Sequence, residues 1–196
     1  MPQPTPPENA LRTIFVTSDW RAGLTLGALY VLTALTALAS VPLVPEFLLP
    51  SLVLGAALVW LSVIDLRSFR LPDWLTLPLL AIGLILSFFL KWDELYWRIL
   101  AAALGFIVLY VVAQLYFRLR GRHGLGLGDA KLLAASGAWL GIEGIPATLL
   151  LASCTALCAA LASALAGRSI TADTRMPFGP FLALGTWLTW FYGPLI

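Results

Sequence analysis

GLGLGDAKLLAASGAWLG, residues 124–141, places a carboxylate, Asp129, behind alternating glycines at the mouth of an apolar segment. Hydrocarbon is a poor medium for a carboxylate. On insertion scales a charged side chain within a membrane span costs a few kcal/mol, so an acid in this position calls for a partner or a task. Residues 132–142 alone fall short of the roughly 20 apolar residues that cross a bilayer. Extended back through Lys131 and Asp129 to Gly124, the segment becomes long enough, with the carboxylate near one interface.

Around that stretch, the chain of 196 residues is 60% hydrophobic and 11% charged, with a mean hydropathy of +0.92. Soluble domains carry about 25% charged residues. The composition predicts an all-α polytopic membrane protein, because helices satisfy their own backbone groups in lipid. A net charge of +2 with scattered basic residues argues against nucleic acid as a partner. Residues 1–8 hold four prolines and read, with the rest of 1–21, as a cytoplasmic N-terminal arm. Prolines ahead of the first apolar run do not make a cleavable signal.

Uncharged runs at 22–45, 47–64, 74–90, 99–117, 144–167 and 176–196 give six spans, the first transmembrane helix being 22–45. The segment at 124–142 makes about seven. With the N-terminus inside, Arg12, Arg21, Arg67, Arg70, Arg118, Arg120, Arg122, Lys131, Arg168 and Arg175 fall on the cytoplasmic side, and only Lys91 and Arg98 of the 12 basic residues fall outside. A six-span chain would move Arg168 and Arg175 across. The expected product is a multi-pass membrane protein with a cytoplasmic N-terminus.

This topology sets Asp65, in IDLRSFRLPDWLTLPLL (64–80), at the same membrane depth as Asp129. Two close carboxylates do not readily ionise together, so such a pair shares a proton. One member can then deprotonate a water while the other donates a hydrogen bond to a scissile carbonyl, which is the chemistry of an aspartic protease. Gly126 and Gly128 would give the backbone conformations closed to other residues and let another chain approach. Helix-packing glycines are the competing reading.

Other residues have plainer roles. Asp73 suits the first turn of a helix. Lys131, two residues from Asp129, points to another side of a helix and fits an interface, though it could also hold substrate or a lipid phosphate. Arg118, Arg120, Arg122 and His123 suit anionic lipid, and Trp20, Trp74, Trp92, Trp97 and Trp139 suit interface anchors. Cys154 and Cys158, one helical turn apart, should pack as small apolar residues. A structural zinc site takes four ligands, so neither a metal nor another cofactor is expected.

Three blocks, IDLRSFRLPDWLTLPLL, GLGLGDAKLLAASGAWLG and MPFGPFLALG (176–185), resemble in order and spacing the type IV prepilin peptidases, membrane aspartic proteases of the GxGD class. The resemblance covers a peptidase core at 46–196. It implies Asp65 and Asp129 as the catalytic aspartates, with Gly126, Gly128, Lys131, Pro72, Pro177 and Gly179 binding substrate or shaping the active site. It further implies cleavage of the leader of a prepilin or pseudopilin at the cytoplasmic face of the bacterial inner membrane, in contact with membrane lipid. Larger members resemble this chain but carry paired CxxC motifs that bind zinc and also methylate the new N-terminus. Residues 41–47 form only a short loop and the chain holds no CxxC, so peptidase activity is expected and methyl transfer is not. A proton-coupled transporter and a non-enzymatic pilus or secretion assembly subunit are the rivals. Acids at one interface and the absence of an internal repeat weigh against the first, and the presence of both aspartates against the second.

Overall fold

The structure, a computed structural model, describes residues 32–33, 45–121, 126–165 and 176–193. The N-terminal arm with its Trp20, nearly all of the first predicted span, the tip of the basic loop with Arg122 and His123, and the segment with Arg168 and Arg175 lie outside the described residues. Those described form helices α1 (Pro45–Ser68), α2 (Asp73–Leu90), a 3-10 turn (Trp92–Glu94), α3 (Leu95–Arg120), α4 (Leu127–Leu140), α5 (Gly144–Leu165) and α6 (Gly179–Tyr192), with no strand among them. Stretches of α1, α2, α5 and the 3-10 turn with α3 are long and apolar enough to cross a membrane.

The quoted stretch becomes the centre of the bundle. From Asp129 to Trp139 every residue of α4 except Lys131 is buried. Apolar and small residues all round make a helix that fits only inside other helices. It packs against α2, α3, α5 and α6, while α6 also touches α1 and α5. Small residues set the spacing: a Cβ on Gly137 would lie 2.5 Å from the Ala101 carbonyl oxygen, and one on Gly105 would lie 2.7 Å from that of Leu133. Backbone against backbone is how such helices gain contact without a hydrophobic drive between them.

Length departs from expectation. α4 has 14 residues and starts at Leu127, with Gly126 as its N-cap, rather than at Gly124. At 1.5 Å per residue it is about 21 Å long, short of the ~30 Å hydrocarbon thickness. α6 also has 14 residues where 176–196 was expected. Four described helices thus reach spanning length and two do not. Both short helices begin at the same end of the bundle, beside the C-terminal end of α1.

Two further expectations change. Trp139 is no interface anchor: it is 2% exposed, its indole N–H donates to the Leu79 carbonyl at 2.8 Å, and Gly83 leaves the room it fills. Trp74, Trp92 and Trp97 do face outward. Cys154 and Cys158 are free thiols, and both lie exposed on the outer face of α5 instead of packing within the protein.

Candidate active site

Leu54, Leu58 and Leu61 form a fully buried stripe along α1, and Asp65 occupies the next position of that stripe, itself buried. Spacing of i, i+4, i+7 and i+11 keeps all four on one face. The core-facing stripe therefore ends in a carboxylate. α1 continues past it to Ser68 and stops at Phe69, whose φ of 53° is left-handed. The Phe69 N–H closes the helix on the Asp65 carbonyl at 2.8 Å. A left-handed residue with a Cβ costs about 1–2 kcal/mol, and glycine is the usual residue at such an end. Pro72, extended at φ −76°, then starts α2, its carbonyl accepting the Thr76 N–H at 3.1 Å.

α4 and α6 deliver the rest of the site from their N-termini. Asp129 stands in the first turn of α4, where its Oδ2 accepts the Gly126 N–H at 3.3 Å. The Oδ2 of Asp65 accepts the Gly179 N–H, the first of α6, at 3.0 Å. Each carboxylate is thus aimed by one glycine amide at a helix N-terminus, where negative charge is favoured. The two lie close enough for the charge of one to act on the other. They are 5% and 8% exposed, and among the described residues neither is ion-paired. Two acids from sequence positions far apart therefore meet in one water-poor place, with no cation paired to either among the described residues.

The glycines divide by role. A Cβ on Gly179 would sit 2.6 Å from the Asp65 Oδ2, so the approach of α6 to the carboxylate excludes any side chain. At Gly128 a Cβ would lie 2.8 Å from the Leu71 Cβ, so here the close neighbour is the chain's own loop between α1 and α2. Gly126 differs. Its φ of −79° and ψ of 146° are open to every residue, and a Cβ there would make only ordinary contacts. Neither Gly126 nor Gly128 has a positive φ, so neither takes up the backbone freedom that glycine allows. Pro177 is buried just ahead of α6, and Pro180 takes an early position of that helix, where its missing N–H has no partner to lose.

Lys131 turns away from Asp129, as its spacing predicts, and its Nζ meets the Asp73 Oδ1 at 2.6 Å. Asp73 stands in the first turn of α2 without capping it, since Pro72 is the N-cap. Lys131 also borders a groove of about 430 Å³ lined by Leu77, Leu80, Phe106 and Ala134 among others, all apolar apart from the lysine. Leu71 and Phe69 escaped sequence reading because a lone leucine before proline, or a phenylalanine at a helix end, carries no signal of its own. Among the described residues no three His, Cys, Asp or Glu side chains assemble as a metal ligand set.

Residues 52–161 match the model of the type IV leader peptidase family. The chain is similar to the prepilin leader peptidase/N-methyltransferase of Burkholderia pseudomallei strain 1026b, 41% identical over 140 residues that make up 71% of this chain and 45% of that protein. It is likewise similar to proteins of the same name from Xanthomonas campestris, 43% identical over 148 residues (73% of this chain, 50% of that one), and Dichelobacter nodosus, 37% identical over 180 residues (89% and 61%). The chain thus spans about half the length of the curated relatives it matches, up to 61% in the last case. No solved structure matches it significantly.

Proposed function

The chain belongs to the type IV leader peptidase family, and from that premise we propose that it is a membrane-embedded aspartic endopeptidase cutting the leader from type IV prepilins or type II secretion pseudopilins. The observation that carries the proposal is the buried carboxylate pair, Asp65 and Asp129, each aimed by a glycine amide and lacking a cation among the described residues. A structural acid at such burial is normally ion-paired. Paired carboxylates without a cation fit acid/base work instead.

In this reading the pair holds one proton and a water between its members. The ionised carboxylate takes a proton from the water as its oxygen attacks the scissile carbonyl carbon, and the protonated carboxyl gives its proton to the carbonyl oxygen. A tetrahedral diol results. The first carboxyl then passes its new proton to the leaving nitrogen while the second recovers one from the diol, so the peptide bond breaks and the pair returns to its starting charge. Positioned acid/base groups of this kind supply about 10²–10⁴-fold in rate. Roles within the pair are joint, because coupled acids titrate together.

We place the reaction at the cytoplasmic face because the basic residues concentrate on the side of Asp65 and Asp129. Hydrolysis alone is proposed. The relatives' names include N-methyltransferase, but this chain lacks the CxxC pairs expected of the members that methylate. The test is co-expression with candidate prepilins and pseudopilins, followed by N-terminal sequencing of the shortened product. A new N-terminus at the leader junction supports the reading. Full-length substrate throughout, with the protein present in membranes, would overturn it.

A further inference from the structure

We infer that the Lys131–Asp73 pair is a latch that sets the register between the two aspartate-bearing segments, making both residues positioning residues rather than substrate contacts. The inference rests on the peptidase reading above and adds residues to that site. Lys131 lies two positions after Asp129 in α4, and Asp73 opens α2 directly after the loop that leaves Asp65. Residues 58 apart in sequence thus meet at 2.6 Å.

A second contact runs beside the ion pair. Gly128 is seated on Leu71, with space for no Cβ between them, so residues 71–73 lie along residues 128–131. One contact fixes how near the loop comes to α4, and the other fixes how far along α4 it sits. Asp65 and Asp129 have no direct bond to each other. Their separation is carried by the Gly179 amide on one side and by this doubled seam on the other.

The side chain of Lys131 is 28% exposed and that of Asp73 59%, so the pair is only partly shielded and contributes little to stability. Its effect is geometric. Displacement of a reacting group by about 1 Å can cost a hundredfold in rate, and the left-handed Phe69 leaves the loop strained and in need of restraint. The competing role for Lys131 is capture of an anionic group, either a lipid phosphate over the apolar groove it borders or an acid on the substrate.

Charge exchange separates these roles. Cleavage kinetics would be measured for Lys131→Asp, Asp73→Lys and the double exchange, each purified in the same detergent as wild type. Either single variant should lower kcat at least tenfold with KM within about twofold, and the exchange should recover most of it. A lysine that binds substrate predicts instead a raised KM that the exchange leaves unrepaired, and that result overturns the latch. So do single variants as active as wild type. Thermal unfolding of the same four proteins reads the pair without any substrate: each single change should lower Tm by roughly 1–3 °C and the exchange should restore it. Restored Tm with no cleavage by wild type would sink the peptidase reading and spare the pairing. Tm that stays low in the exchange, or does not move in the single variants, would sink the latch itself.

Discussion

At its C-terminal end α4 is gripped by Arg98, whose guanidinium reaches the carbonyls of Ala138 and Trp139 while Glu94 holds it from the other side. At its N-terminal end the same helix offers Asp129 to a second carboxylate, with one hydrogen bond of 3.3 Å accepted from the Gly126 N–H and no cation among the described residues. A cation on the terminal carbonyls, the buried Trp139 indole and the Gly137 contact all favour the fold at the far end. The near end buries two carboxylic acids and closes α1 with a left-handed phenylalanine. Strain gathers where the reaction is proposed, and the opposite end of one short helix supplies the anchorage that tolerates it.

If the two ends divide labour in this way, substitutions near the aspartates should reduce rate and leave stability, and those near Arg98 should do the reverse. The largest effect on rate short of the aspartates is expected from Gly179→Ala, whose methyl group must displace the Asp65 carboxylate. Cleavage should fall about a hundredfold at unchanged membrane level. Full activity would mean that the α6 terminus does not position Asp65. Trp139→Ala should cost about 3–5 kcal/mol in thermal unfolding, with cleavage per folded molecule close to wild type. Loss of cleavage in the folded fraction would break the division.

Arg98→Met tests the far end more gently, removing the cation from the terminal carbonyls while keeping the aliphatic stem. About 1–2 kcal/mol of stability should be lost, read from detergent melts, again without a change in rate. The smallest effect is expected of Gly126→Ala. Its backbone is ordinary and its N–H, which holds Asp129, is retained, so activity within about threefold is predicted. A large loss would show that the loop before α4 demands glycine in a conformation other than the one described here.

The all-helical fold and the nearness of the two acids were legible in the sequence, while the lengths and depths of the helices were not. Asp65 and Asp129 could be paired beforehand because an acid in an apolar run is costly wherever it occurs, and charge bias set both at one depth. Gly179 was legible only as part of a motif, since glycine records that space is needed and not which atom needs it. That its neighbour is the Asp65 carboxylate required the folded chain. The shortness of α4 was hidden because residues 124–142 are equally apolar whether they cross a bilayer or fill a bundle, and nothing in composition marks a helix buried on every side. Trp139 misled for a related reason: near a helix end, an indole at an interface and an indole bonded to a neighbouring helix look alike. Asp73 and Lys131, each unremarkable alone, gain meaning only from their contact.

Whether Asp65 and Asp129 act as one catalytic unit is read from cleavage of a prepilin shown to be a substrate, using wild type, Asp65→Asn and Asp129→Asn at matched membrane levels, with the Tm of each recorded. Each variant should lose at least a hundredfold in rate, and neither should melt below wild type, because an amide at either position removes the need to bury a charge there. Substantial cleavage by either variant, at matched level and Tm, would contradict the paired-carboxylate account.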